Sequence, residues 1–542
     1  MTAPAGRTAL FPIGPTAPRS YAAGSPERTS TAAALAEVRG ADYDIANLIG
    51  GSEVRTGRQA AVVTPHEHKR QLGQVHWAGA AETQQAIDAS LAASRPWGRL
   101  PWEERVAPFL RAADLLEHGP WRDLLNAATM LELSKTTYQA DIDAACETVD
   151  FIRANVKNML DMYDVQPGSR AGEWNSAEYR PLEGFVFAVT PFNFTCMNNL
   201  AFAPAILGNT VVWKPAESAS LVAHLSMQLL RDAGLPDGVI NVVYGTGSEI
   251  GAVALEHRDL AAVHFTGSTT TFQHIWRTVG ANVASYRNYP RVVGETGGKD
   301  FILAHPTADL DALAVACIRG AYEYQGQKCS AASRLYAPRS LWPALKERLI
   351  ALTESVVVGD PTEAETYVGA VINAKQHAKH AEALARARTE GVVVVGGNTD
   401  DSTGWFVDPT ILEVDDLTSP FLTQELFAPV LSTYVYDDAD WSQTLRLVDE
   451  STPYGLTGAV FAEDEAAVRQ ANDVLRYTAG NFYVNDKPTG SVVGHQPFGG
   501  ARASGTNDKA GTVWNLIRFA SPRSTKRNHV PARDYRYPHL EP

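Results

Sequence analysis

Cys329 sits in Gly326-Gln327-Lys328-Cys329-Ser330, a polar, glycine-containing turn after a helical stretch, with a lysine beside it. A free cysteine is more often a small core hydrophobe. Cys146 and Cys317, embedded in helical patterns, fit that reading. Cys329 does not, because a polar, partly exposed setting beside a cation is where a thiolate is stabilised. Glu295 ends a strand in Val292-Val293-Gly294-Glu295-Thr296-Gly297-Gly298-Lys299, flanked by glycines that permit close approach of backbone. Alone it reads equally as a solvated loop acid. With Cys329 it makes a nucleophile and a general base. Asn193, in Thr190-Pro191-Phe192-Asn193-Phe194, is either an ordinary turn residue or an amide donor to a developing oxyanion.

Other segments suit an anion. Trp213-Lys214-Pro215-Ala216-Glu217 puts Lys214 and Glu217 three apart at a strand end, where they suit phosphates or ribose hydroxyls. Phe265-Thr266-Gly267-Ser268-Thr269-Thr270-Thr271 reads as strand, glycine turn and helix start, an anion site made of backbone N–H groups and the helix dipole. Gly245-Thr246-Gly247-Ser248-Glu249-Ile250-Gly251 misses the dinucleotide fingerprint, because its last glycine comes one residue late. His66-Glu67-His68 lacks a third ligand and metal-site spacing, so it reads as a surface turn and no metal is expected.

The elements that must hold these residues alternate. Helical pattern dominates 81–160: one amphipathic stretch starts at Glu82 and continues through Trp102–His118, and Asp141–Met162 is a long helical candidate. From 184, buried strands (184–190, 210–213, 239–243, 261–265) alternate with helices. A second alternating series follows Gly294. This predicts an α/β protein with two doubly wound lobes joined near Gly294. Residues 165–183 are polar and interrupt the first lobe.

The 542 residues exceed one ordinary domain, and their net charge of -14 argues against a nucleic-acid binder. No apolar run approaches the roughly 18 residues that cross a bilayer. Four cysteines in such a chain do not make a disulfide framework and look like reduced thiols of the cytoplasm. Residues 1–35 are acid-poor and contain arginine, as a mitochondrial transit peptide would. Their prolines at 4, 12, 15, 18 and 26 would break its helix, so residues 1–40 are expected to form an irregular arm.

Pro191-Phe192-Asn193, Trp213-Lys214-Pro215, Phe265-Thr266-Gly267-Ser268, Glu295-x-Gly-Gly-Lys299, Gly326-Gln327-x-Cys329 and Glu425-Leu426-Phe427-Ala428-Pro429 together resemble the aldehyde dehydrogenase superfamily, in order and spacing, over roughly 180–500. Gln327-Lys328-Cys329-Ser330-Ala331, Asn485-Asp486-Lys487-x-Thr489-Gly490-Ser491 and the run from Gln496 to Asp508 look like its 1-pyrroline-5-carboxylate dehydrogenase branch, in stand-alone form.

The resemblance implies that Cys329 attacks an aldehyde, that Asn193 and the Cys329 N–H hold the oxyanion, and that Glu295 activates water to hydrolyse a thioester. It implies NAD as cofactor, met by Thr190, Lys214, Glu217, Gly267, Ser268, Thr269, Thr270, Thr271, Glu425 and Phe427. Glu217 favours NAD, since a carboxylate repels the 2′-phosphate of NADP. The implied substrate is L-glutamate γ-semialdehyde, with Gly490, Ser491 and Ser330 at its carboxylate, Glu147 at its ammonium, and Phe194 and Phe498 along its carbons. The implied domains are NAD-binding (41–164 and 184–294), catalytic (295–488), and an oligomerisation hairpin with a C-terminal arm (165–183 and 505–542), giving at least a homodimer. Docking of a proline dehydrogenase stays open, as do a dehydrogenase of another semialdehyde, a non-redox thiol hydrolase and a mitochondrial matrix location.

Overall fold

A computed structural model describes residues 14–540. The β-branched and aromatic runs become the strands of a seven-stranded sheet with the order Arg291–Glu295, Leu260–Thr266, Phe185–Val189, Val211–Lys214, Ile240–Val242, Asn47–Ile49, Ser52–Val54. The first five are parallel and the last two antiparallel. Strand order reverses between Phe185–Val189 and Leu260–Thr266. The carboxyl ends there open the crevice in which doubly wound sheets bind ligands.

The second seven-stranded sheet has the order Val393–Val395, Thr410–Glu413, Val430–Tyr436, Ala332–Pro338, Asp300–Ala304, Thr457–Phe461, Asn481–Val484. Only Val393–Val395 runs antiparallel. Both sheets read as near-continuous apolar strands because helices cover both faces. No helix among the described residues is long and apolar enough to cross a membrane.

Several expectations need correction. Residues 1–13 lie outside the described residues, but the arm is not irregular throughout: Pro26–Gly40 is a helix. Ser25 caps it, and Pro26 occupies its first turn, where a missing N–H removes no hydrogen bond. Its buried Thr31, Ala34, Leu35 and Val38 hold it in place. The stretch from Glu82 is two helices, Ala80–Gly98 and Trp102–His118, separated at Pro101. The Asp141–Met162 candidate begins as a π-helical turn, Asp141–Glu147, and becomes α-helical over Thr148–Tyr163. Such turns often mark functional sites.

The polar 165–183 segment contains the strand Glu173–Pro181, which pairs antiparallel with Ala520–Asn528 as a two-stranded ribbon. At the start of the segment expected as the C-terminal arm, Gly505 forms a β-bridge with Glu295. His66 is not on the surface. It is buried, with Nδ1 3.2 Å from Ser134 Oγ, while His68 faces away and stacks on Trp405.

Candidate active site

The chain leaves the first sheet at Glu295 and enters the second at Asp300, so Glu295 stands at the join of the lobes. Its Oε2 accepts a hydrogen bond from the Gly500 N–H at 2.7 Å. Burial pushes this carboxyl well above the usual range, against the Gly500 N–H and the nearby Lys509 charge, and Asp508 adds to the rise.

Cys329 is delivered by a tight reversal. Tyr324, Gln325 and Gly326 are all left-handed, with φ of 53°, 57° and 65°. A Cβ at Gly326 would lie 2.2 Å from the Ala428 carbonyl oxygen, so the turn requires glycine. Gly298 permits the other close approach, because a Cβ there would stand 2.4 Å from the Cys329 carbonyl oxygen. The lysine neighbour does not stabilise the thiolate as expected. Lys328 Nζ turns to Glu323 Oε2 at 2.9 Å. Burial pushes the thiol well up, helped by Asp300, Glu295 and Glu425, with only the Ser330 N–H opposing. Asn193 crosses to the same turn, and its Nδ2 donates to the Gln327 carbonyl at 3.0 Å. A primary amide has a second N–H, which stays available to an oxyanion.

Two cavities meet at the thiol. The smaller, about 30 Å³, is lined by Asn193, Glu295, His264 and Lys509 as well as Cys329. The larger, about 880 Å³, brings together Ser330, Glu147, Phe194, Gly490, Ser491 and Phe498 beside Cys329. Phe194 and Phe498 line both. Ser330 Oγ lies 2.8 Å from Thr489 Oγ1, which ties the residue after the nucleophile to the 489–491 loop.

Glu147 comes from the π-turn, and its Oε2 accepts from the Cys196 thiol at 3.1 Å. Burial, then Asp143, raises this carboxyl to about 7. It has no ion-pair partner among the described residues, so it is a half-buried acid suited to an incoming cation. The sequence reading missed Lys135 and Asp143, which support it. Lys135 Nζ sits 4.1 Å from the Phe194 ring centre and 4.4 Å from that of Tyr324, and pairs with Asp143 at 2.6 Å. Asp143 also accepts the N–H groups of Thr195 and Cys196.

The remaining residues lie at the carboxyl ends of the first sheet. Thr190 follows Phe185–Val189, and its Oγ1 accepts from Trp213 Nε1 at 3.0 Å. Lys214 ends its strand and pairs with Glu217 at 2.9 Å. Leu260–Thr266 leads through Gly267 to the helix Thr269–Ala281, whose N-terminus is capped by Ser268 on the Thr271 N–H. The remaining N–H groups of such a first turn are anion donors. The Gly245–Gly247 turn, discounted on its spacing, runs into the helix Gly247–Glu256, and a Cβ at Gly247 would stand 4.0 Å from Lys214 Nζ. From the other lobe, Glu425 accepts the Gly298 N–H at 2.9 Å, and Phe427 packs edge-on against Phe192 with ring centres 6.0 Å apart.

A parallel-sheet crevice with anion donors is thus faced by a thiol, a carboxylate and an amide. Residues 53–524 match the model of the aldehyde dehydrogenase family, and the chain belongs to that family. Within it, the chain is 45% identical to the mitochondrial delta-1-pyrroline-5-carboxylate dehydrogenase of Bos taurus, over 96% of this chain and 93% of that protein. A structure of the Mycobacterium tuberculosis delta-pyrroline-5-carboxylate dehydrogenase bound with NAD is 49% identical with a TM-score of 0.95, and the match covers 99% of this chain and 100% of that one. Proline utilization A from Bdellovibrio bacteriovorus is 28% identical with a TM-score of 0.88, over 93% of this chain and 52% of that one.

Proposed function

We propose that this enzyme oxidises L-glutamate γ-semialdehyde, the open form of 1-pyrroline-5-carboxylate, to L-glutamate with NAD, the second step of proline catabolism. One observation supports the substrate: Ser330, Gly490 and Ser491, whose hydroxyl and N–H groups suit a carboxylate, and the half-buried acid Glu147 all line the large cavity beside Cys329. An amino acid with a terminal aldehyde matches that charge pattern, and a plain aliphatic aldehyde does not.

The residues present fit NAD. Lys214, Glu217 and the capped Ser268–Thr271 turn offer one cation, one ribose acceptor and a ring of N–H donors. Thr190, Glu425 and Phe427 flank the crevice from its two lobes. Bound NAD supplies the hydride acceptor. The Cys329 thiol loses its proton to solvent, its Sγ attacks the aldehyde carbon, and the Asn193 amide and the Cys329 N–H hold the resulting oxyanion. After oxidation to the thioester, Glu295 takes a proton from water, which cleaves the acyl–sulfur bond and releases glutamate.

The ribbon formed by Glu173–Pro181 and Ala520–Asn528 stands exposed and offers Trp174 to a second copy, in support of a homodimer. The likeness to proline utilization A supports a proline dehydrogenase as the supplier of substrate. Reduced thiols favour the cytoplasm as the location. The counterpart in cattle is named mitochondrial, which is the matrix alternative. Steady-state NADH production with pyrroline-5-carboxylate, against succinate semialdehyde and plain aldehydes, tests the assignment. Preference for another semialdehyde, or turnover without NADH, overturns it.

A further inference from the structure

Behind the thiol, away from the large cavity, Lys509 occupies an unusual place. Its Nζ donates to the carbonyls of Gly480 at 2.7 Å and Gly499 at 3.0 Å, and lies 3.4 Å from Asn481 Oδ1. These partners are neutral, and among the described residues no carboxylate lies within ion-pair distance of it. Asp508, its neighbour in the chain, turns instead to Arg518 at 3.6 Å and to the Thr506 hydroxyl. Yet Lys509 lines the same small cavity as Glu295, and a Cβ at Gly499 would lie within 3.2 Å of both the Lys509 backbone nitrogen and Glu295 Oε1, so the two residues flank the same glycine. Both contacts fall on one planar peptide unit: Lys509 holds its Gly499 carbonyl, and its Gly500 N–H grips Glu295.

We propose that Lys509 is the positioning residue of Glu295: it pins the Gly480 and Gly499 carbonyls so that the Gly500 N–H meets the carboxylate, and its uncompensated charge favours the ionised form that can accept a proton from water. The inference rests on reading Glu295 as the base of thioester hydrolysis. The other titratable groups facing Glu295 do not supply this charge. His264 is neutral, pushed down to about 4 by burial, with Nδ1 2.9 Å from the Leu200 carbonyl oxygen. Cys329 and Asp508 bring no positive charge and oppose ionisation if charged themselves. Burial pulls the Lys509 ammonium below its usual range and pushes the Glu295 carboxyl above its own, and the attraction between the two opposes both shifts. A group that acts only by packing would have no such dependence on charge.

Lys509→Met, Lys509→Gln and Lys509→Arg, with Glu295→Gln in parallel, test this in the full-length enzyme with NAD and pyrroline-5-carboxylate. First-turnover and steady-state NADH are measured from pH 6 to 10. The Met and Gln variants are expected to keep the first turnover. Their steady-state rate at pH 7 should fall about tenfold, with the acid limb moved up by about one pH unit and recovery by pH 9. Lys509→Arg should hold the wild-type limb. Gln retains a donor to the carbonyls without the charge, so it carries the test if Met does not fold. An unmoved acid limb in Met and Gln, while Glu295→Gln slows hydrolysis, overturns the role of Lys509 alone. Wild-type hydrolysis in Glu295→Gln overturns the reading of Glu295 and this inference with it.

Discussion

Lys135 Nζ lies 2.6 Å from Asp143 Oδ2, and neither side chain is more than 2 % exposed. The pair lines the large cavity, with the ammonium over the rings of Phe194 and Tyr324. Removing one partner strands the other charge, which typically costs about 3–5 kcal/mol. Lys135→Met should therefore lower the urea unfolding midpoint. It should also weaken substrate binding, through Phe194. An unchanged midpoint would mean that water reaches Asp143.

Glu147 gives the binding step a pH dependence. Its carboxyl is raised to about 7, so it is charged above that pH and neutral below it. The contact with a substrate ammonium is present above pH 7 and lost as the pH falls through it. KM for glutamate semialdehyde should then rise toward a tenfold change per pH unit. Dividing by the Glu147→Gln variant removes the pH dependence of the substrate's own ring opening. A flat ratio between pH 5.5 and 8 would remove Glu147 from the ammonium site.

The Cys329 thiol is held protonated in the free enzyme by burial and by Asp300, Glu295 and Glu425. Iodoacetamide should alkylate it more slowly than a free cysteine at pH 7, since only the thiolate reacts, with the rate still climbing above pH 9. Mass spectrometry of the peptide that contains Cys329 gives the rate. A plateau by pH 7 would mean that the thiol is already ionised.

Glu295→Gln should leave the first NADH turnover intact and slow the steady state by roughly 10²–10⁴, because an amide cannot take a proton from water. Stopped-flow absorbance separates the phases. Equal slowing of both would assign Glu295 to acylation instead.

Ser491→Ala tests substrate choice. Losing a hydrogen bond to a charged carboxylate costs about 1.5–3 kcal/mol, or roughly 10- to 150-fold in kcat/KM. A plain aldehyde never makes that bond, so its kinetics should hold. An unchanged ratio between the two substrates would make another semialdehyde the better reading.

Much of this arrangement is legible in the residues because buried parallel strands carry their own signature. Phe185–Val189 is a continuous apolar run and 260–265 is one broken only by the buried His264, and each leads into a polar turn at the crevice. Cys329 and Glu295 stand out because polar, glycine-flanked neighbours are unusual around a core cysteine or a strand end. What escapes is set by tertiary contact. Lys135 and Asp143 are eight residues apart across a helix start, with nothing local to couple them. Lys328 precedes Cys329 in the chain but points to Glu323, because side chains of adjacent residues in a turn diverge. Lys509 looks like one more loop lysine until the fold brings residues 480 and 499 to it.

The ribbon sets a schedule for biosynthesis. Glu173 faces Asn528 and Pro181 faces Ala520, so one strand waits for a partner encoded some 340 residues later. At 5–20 residues per second, a ribosome needs about 17–70 s to supply it. Throughout that interval the earlier strand is an unsatisfied edge with a tryptophan on it, the kind of surface that recruits chaperones or other nascent chains. Truncation between residues 485 and 519 would leave both sheets encoded in full and still release a product with that edge open, so chains stalled or nicked there should aggregate even where their lobes have folded.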